Sequence, residues 1–290
     1  MIADINEALL IQRTGSPYPP HHMGDHLEEA FIKFWAIEGN GNRKLIPVHW
    51  TAVYNHRVKE GLGQGTPNGI LREQLRFYLN SLNQNEKYFV VCTHDDAPTE
   101  ELPPDTIVFS AGGNSRKINI PIPLTCAPHN NLRDVIRTIP ISFVGSITHQ
   151  IRFNLLNSFY QKSGVMISAD QWTDTVSNDK VDLFKRAAEQ SIFSLCPRGY
   201  GATSYRLYEA MQLGSIPVYV SDHHLLPWSD VLDWDKFAIV RKETQIDSLY
   251  DELINFNGTK ALDMQKEAKR VWKEYFSIQG TCKQIIKKLQ

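Results

Sequence analysis

The chain has 290 residues, 42% of them apolar and 22% charged, with a net charge of −1 at neutrality. That length exceeds one ordinary core and predicts two domains, while the balanced charge excludes the basic footprint of a nucleic-acid binder or an electropositive membrane face. No window approaches the ~18 apolar residues of a membrane span, and the start, MIADINEALLIQRTGSPYPP, lacks a signal-peptide pattern, so a cytoplasmic location is expected.

Taken in chain order, the first half alternates helices and strands. DHLEEAFIKFWAI (Asp25–Ile37) gathers Leu27, Phe31, Phe34 and Trp35 near one helical face. KLIPVHWTAVY (Lys44–Tyr54) reads as a buried strand turning into a helix. GILREQLRFYLNSL (Gly69–Leu82) is helical, with Leu71, Leu75, Tyr78, Leu79 and Leu82 as its apolar stripe. KYFVVCTHDD (Lys87–Asp96) is a strand whose polar residues arrive at its C-terminal end; TIVFSAG (Thr106–Gly112) is another, and INIPIPL (Ile118–Leu124) leads into TCAPH.

A boundary is expected between Asn130 and Ile139, where a polar segment precedes a fresh strand, ISFVGS (Ile141–Ser146). Beyond it come the helix THQIRFNLLNSFYQKS, the strand GVMISA, the helix DKVDLFKRAAEQ, the strand IFSLCP, the helix SYRLYEAMQLG and the strand SIPVYVS. KFAIV and three helices close the chain. Alternation of this kind predicts βαβ units, parallel sheets and two tandem Rossmann-like α/β domains, residues 1–136 and 137–290. Ligands of such sheets bind beyond the C-terminal ends of the strands, which makes the cleft between the domains the expected site. Ligand binding there is expected to favour closure, limited if the last helix packs back on the first domain.

Cysteine usage agrees with that picture. Cys92, Cys126, Cys196 and Cys282 are far apart and form no CxxC, which reads as reduced, mostly buried thiols rather than a disulfide framework or a zinc site.

The most informative stretch is SIFSLCPRGYGATSYRLYEAMQLGSIPVYVSD (Ser191–Asp222). Its strand ends at Pro197 and puts Arg198 on the sheet rim, where a guanidinium suits bidentate contact with a phosphate. Gly199 and Gly201 permit close backbone approach. Thr203 or Ser204 caps the following helix, whose first amides face an anion. Glu209, about one and a half turns in, is placed to accept from vicinal ribose hydroxyls. A nucleoside diphosphate is the ligand that asks for all three features. Isolated Arg and Glu positions also occur in ordinary α/β cores, paired with other side chains, and local chemistry leaves that reading open.

These residues resemble the signature of exostosin-like glycosyltransferases: strand, C-P-R-G, Ser before Arg-Leu, Glu-Ala, Gly-x-Ile-Pro-Val, Leu-Pro and Asp-Trp. Further blocks are similar to that family in the same order, namely YPPHHMGDHLEEAF, YFVVCTHDDAP, IPIPLTCAPH and ISFVGSITHQIRFNLL. The resemblance implies a GT-B fold, two Rossmann-like domains facing across a cleft. It also implies a nucleotide-sugar donor, usually UDP-linked, a carbohydrate acceptor and inversion at the anomeric carbon. UDP-xylose, UDP-galactose, UDP-glucuronic acid and UDP-arabinose are all in range, with xylose taken first. The chain departs from the family's eukaryotic members in lacking their membrane anchor and stem, which suggests a compact microbial or viral version.

Roles follow from resemblance and chemistry together. Arg198 is the first choice for the diphosphate and Arg152 the second, supplemented by backbone amides at Gly145–Ser146 and Ala202–Ser204. Glu209 takes the ribose, and Tyr205 and Arg206 line the pocket unless Arg206 braces its helix. The acceptor-activating base is sought in THDDAP: Asp95 before Asp96, with His94 as a sugar contact. No cofactor or metal is expected beyond the UDP-sugar itself. Competing readings are a metal-dependent transferase anchored on the Asp-x-Asp of Asp233 and Asp235, and a non-catalytic nucleotide- or glycan-binding module. His22 and His26, at i, i+4, and the glycines of GLGQG (Gly61–Gly65) are weaker signals, read as an acceptor-side loop and a loop near the cleft. Trp50, Tyr54 and Trp228 are read as core packing before sugar stacking.

Overall fold

A computed structural model describes residues 1–10, 26–55, 69–114, 117–118, 120–125, 128–129, 131–173, 176–223 and 225–290. The GLGQG glycines, His22 and Cys126 lie outside them. Two parallel sheets organise the chain, in the order β1-β2-β3-β4 and β6-β5-β7-β8-β9.

The first sheet holds β1 (Lys44–Leu45), β2 (Tyr88–Cys92), β3 (Ile107–Ser110) and β4 (Ile120–Pro121). β2 is buried along its whole length, as a central strand covered on both faces must be. Helix α1 (Leu27–Glu38) buries Leu27, Phe31 and Trp35, spaced i, i+4, i+8, on one side. Phe31, Trp35 and Phe109 each meet Phe89 edge-on, at centroid distances of 6.0, 4.9 and 6.1 Å. Short α2 (Trp50–Asn55) and α3 (Gly69–Ser81) cover the other side, where Leu75, Tyr78 and Leu79 are buried. β1 is shorter than the pattern KLIPVHW suggests. Ile46 N still donates to Phe89 O, but Pro47, with no N–H, is followed by the start of α2.

The second sheet holds β5 (Ile139–Ile147), β6 (Val165–Gln171), β7 (Ser191–Pro197), β8 (Ile216–Val220) and β9 (Ile239–Arg241). Helices α4 (Gln150–Phe159), α5 (Asn178–Gln190), α6 (Tyr205–Gln212), α7 (Ile246–Ile254) and α8 (Gly258–Val271) connect or cover these strands. Strand order reverses between β5 and β7, which makes their C-terminal ends the topological switch point of the sheet.

The last two helices are separate, as the sequence predicts. α8 runs into one π-helical turn, Trp272–Phe276, and Ser277 then caps α9 (Ile278–Leu289) by accepting from Gly280 N at 3.0 Å. A Cβ on Gly280 would lie 2.6 Å from Glu274 O, so only glycine fits this corner. α9 returns to the first sheet: Ile285 and Leu289 share a core with Phe31, Trp35 and Phe89. That same core continues through Leu207, Tyr208, Met211 and Tyr219 of the second half to Trp234 and Phe276. The two sheets are therefore bonded by one continuous apolar body, and wide hinge motion would have to open it. Cys92, Cys196 and Cys282 are buried free thiols, and burial pushes Cys196 and Cys282 up to about 12. Among the described residues no helix is long and apolar enough to cross a membrane.

Candidate active site

Parallel strands release their chain at one edge, and the C-terminal edges of the two sheets meet. Ala202 N, beyond β7, donates to Gly112 O, beyond β3, at 3.0 Å. Glycines make this joint possible. A Cβ on Gly201 would stand 2.0 Å from Asp95 Oδ1 and 2.6 Å from Gly112 O, and one on Gly112 would stand 2.2 Å from His94 O. Gly201→Ala is accordingly expected to destabilise the protein by about 1–3 kcal/mol through overpacking. A denaturant midpoint equal to that of the unmodified protein would show that the joint is looser than drawn.

Asp95 thus sits where the two halves touch, half-buried at the exit of β2. Among the described residues no hydrogen bond to its carboxylate is found. Burial, with the negative charge of Asp96 added, raises it from the ordinary carboxylate value to about 7, against the opposing pull of Arg198 and then Arg152. Its neighbour differs. Asp96 Oδ1 accepts from Asn114 Nδ2 at 3.0 Å and Oδ2 from Tyr200 OH at 3.3 Å, so this carboxylate is occupied in bracing the loop against the β7 exit. His94 Nδ1 accepts from Asp96 N at 3.1 Å, which leaves the ring proton of a neutral His94 on Nε2. The ring stacks obliquely on Tyr54, centroid to centroid 5.0 Å.

Across the joint, Arg198 leaves β7 with its N–H bonded to Val220 O at 3.1 Å. Its half-buried guanidinium folds over its own loop, Nε to Gly201 O at 3.3 Å and Nη2 to Tyr200 O at 3.1 Å. Arg152, on α4, is a strap between the two strand exits at the switch point. Nε donates to Arg198 O at 2.9 Å and Nη1 to Ser146 O at 2.7 Å, and Nη2 reaches Ser204 Oγ at 3.4 Å. Arg206 points the other way. Its Nε and Nη2 donate to Val144 O at 3.0 and 2.8 Å, and its guanidinium lies 4.4 Å over the Phe143 ring, bracing α6 on β5. The guanidinium fills the space beside Gly145, whose φ of 153° and lack of a side chain admit it.

No side chain caps α6 at Ser204. Along α6 only Tyr205 and Glu209 are half exposed, an i, i+4 pair opening one face of an otherwise buried helix. Glu209 Oε1 meets His129 Nε2 at 2.8 Å. His129 is itself clamped by the Gln212 amide, which accepts from His129 N at 3.1 Å and donates to its carbonyl at 3.2 Å.

Sequence reasoning missed several residues here. His129 closes a block, IPIPLTCAPH, that the resemblance already marked, and its polar end was the available signal. His149 caps α4 by accepting from Ile151 N, and its pKa is lowered by burial and by Arg198 and Arg152, with Glu243 pulling the other way, so it stays neutral near neutral pH. Thr148 Oγ1 lies beside Gly199, buried and without a hydrogen-bond partner among the described residues. Glu28 has no local signal at all.

The remaining candidates sit elsewhere. Asp233 accepts from Asp235 N at 3.3 Å as the cap of the short turn Trp234–Lys236, and it pairs with Lys236 at 3.7 Å. That turn directly precedes β9, at the edge of the sheet opposite the strand exits. Among the described residues no three His, Cys, Asp or Glu side chains form a metal-holding group. Trp50 and Trp228 are core residues, 0% and 2% exposed. His26 is buried at the start of α1, with its N–H on Glu29.

Comparison with known proteins places this geometry in context. The exostosin GT47 domain matches residues 82–255. A probable glycosyltransferase of Arabidopsis thaliana is 29% identical over 140 residues, 48% of this chain and 28% of that protein. Exostosin-1b of Danio rerio is 31% identical over 104 residues, 36% of this chain and 14% of its own length. Exostosin-2 of Mus musculus is 29% identical over 93 residues, 32% and 13% of the two chains. The chain thus spans less than a third of the length of these curated relatives. The crystal structure of TarM overlaps with a TM-score of 0.41 at 11% identity, over 72% of this chain and 51% of that one.

Proposed function

The chain belongs to the exostosin GT47 domain family, and from that premise we propose that it is an inverting, metal-independent glycosyltransferase that moves a sugar from a UDP-sugar to a hydroxyl of a glycan or glycoconjugate. Residues 137–290 hold the donor and residues 1–136 the acceptor side. One observation carries the reading: a half-buried carboxylate with no hydrogen-bond partner among the described residues, Asp95, stands opposite an arginine-bearing strand exit at a topological switch point, and burial there raises its pKa.

In this mechanism the diphosphate lies on the β5 and β7 exits, against Arg198, Thr148 and the first amides of α6. Arg152 and Ser146 hold those exits in place, and Gly145 lets Arg206 brace them from behind. Glu209 turns its carboxylate from His129 to the ribose hydroxyls, with Tyr205 beside it. Asp95 takes the proton from the acceptor hydroxyl while that oxygen bonds to the anomeric carbon. The bond from that carbon to the phosphate oxygen breaks, and its electron pair leaves on the diphosphate, where Arg198 stabilises the charge. The configuration inverts because base and leaving group stand on opposite faces. His94 Nε2 and the exposed Tyr200 ring at the mouth of the joint are contacts for sugar hydroxyls and a ring face.

The test is transfer and donor hydrolysis across a UDP-sugar panel headed by UDP-xylose, with and without EDTA. Turnover unchanged by EDTA is expected. Complete loss restored by manganese would overturn metal independence and return attention to Asp233 and Asp235. UDP binding without turnover of any sugar would favour a non-catalytic module.

A further inference from the structure

We propose that Glu28 is a positioning residue for the transfer reaction, a buried carboxylate that fixes the exit of β2 so that Asp95 stands at the joint opposite Arg198. The inference rests on the reading of Asp95 as the base. Glu28 lies in the first turn of α1 and is 1% exposed. An isolated carboxylate buried so deeply is costly unless it is fully hydrogen-bonded. Here Thr93 N and Thr93 Oγ1 meet its Oε1 at 2.7 and 3.0 Å. Thr51 Oγ1 meets Oε1 at 2.8 Å and Thr51 N meets Oε2 at 3.0 Å. The two hydroxyls also touch each other at 2.9 Å. Thr51 is in the first turn of α2, so the one carboxylate stands at the N-terminal ends of two helices, where partial positive charge favours it.

Its place in the ladder explains why it matters. The pairing of β2 with β3 ends at Cys92 and Ser110. Thr93 N faces the other side of β2, toward β1, whose last contact is Ile46 N on Phe89 O, and beyond it Glu28 accepts from Thr93 N where a longer β1 would have offered a carbonyl. Asp95 follows two residues later, and Asn114 N bonds Asp95 O at 3.0 Å on the far side. Glu28 therefore sets where the chain leaves the sheet and how far the Asp95 carboxylate projects. A Glu28→Gln amide offers one acceptor oxygen and presents N–H groups to donors, so the anchor slackens while the volume is kept. The charges that act on Asp95 are those of Asp96, Arg198 and Arg152. A change in Asp95 on altering Glu28 would thus travel through the loop.

The experiment compares Glu28→Gln, and Glu28→Asp as the variant that keeps the charge but shortens the reach, with the unmodified full chain. It reads kcat, donor KM, folded fraction by circular dichroism, and the Asp95 titration by carboxyl 13C NMR, assigned by its loss in Asp95→Asn. Expected in both variants, per folded molecule, is a kcat lowered by about 10²-fold with donor KM nearly unchanged, as for a catalytic group displaced by about 1 Å. The Asp95 midpoint is expected to move down from about 7 toward the ordinary carboxylate range as the loop admits water. Rates lost only in proportion to folded fraction, with an unmoved midpoint, would overturn the role of Glu28. If Asp95→Asn is inactive in that case, the base reading stands and only this inference falls. If Asp95→Asn turns over normally, both fall.

Discussion

Asp95→Asn is expected to lower kcat by about 10²–10⁴-fold, the range of a lost general base, with UDP affinity unchanged. Asp96→Asn is expected to cost far less, because that carboxylate is engaged by Asn114 and Tyr200. The pH dependence has a definite sign. Only the ionised Asp95 accepts a proton, so kcat/KM should fall about tenfold per pH unit below about 7 and level off above it. Stability carries the same signature in reverse. The folded pKa is raised above the unfolded one, so the folded protein binds more protons than the unfolded chain between the two values. Stability from this group is fully present below the ordinary carboxylate value of 3.8 and is lost as pH rises through about 7. Asp95→Asn should therefore melt above the unmodified protein at pH 8 and level with it near pH 3. A melting difference that does not change with pH would show that Asp95 is not held as described.

Arg198→Ala is expected to weaken UDP binding by about 1.5–3 kcal/mol, roughly 10–150-fold, the value of a charge-assisted hydrogen-bonded contact. Arg198→Lys should recover part of it, keeping the charge but not the planar fork. The guanidinium now rests on the carbonyls of Gly201 and Tyr200, weak neutral acceptors from which a diphosphate can draw it. Isothermal titration with UDP, and with uridine as a control lacking phosphate, separates this from general loop damage. Uridine affinity should be the same in both proteins. Equal UDP affinity in Arg198→Ala and the unmodified chain would remove Arg198 from the diphosphate site.

Elements whose evidence lies within one window were legible in the sequence. The stripe of Leu27, Phe31 and Trp35 on α1 and the runs IFSLCP and SIPVYVS carry their own periodicity, and the structure has them as a helix and two buried strands. The positions of Arg198 and Glu209 were likewise readable from one strand-turn-helix unit. What was not legible depends on pairs brought together by the fold. Glu28 and Thr93 are 65 residues apart, His129 and Glu209 are 80 apart, and nothing local announces either pair. Arg152 reads as a second diphosphate contact, and Arg206 as either a pocket residue or a brace for its helix. Their bonds to Ser146 O, Arg198 O and Val144 O are backbone contacts, and no side-chain pattern encodes those. The break between α8 and α9 was legible, but the π turn Trp272–Phe276 at the end of α8 was not, since the apolar spacing continues through it.

A crystal structure of the chain with UDP tests the central claim most directly. The account predicts the diphosphate on the β5 and β7 exits within hydrogen-bonding distance of Arg198, and the ribose hydroxyls on Glu209 with the Asp95 carboxylate facing the open side of the β-phosphate. UDP bound away from that edge, with Glu209 still on His129 and Arg198 still on Tyr200 and Gly201, would contradict it.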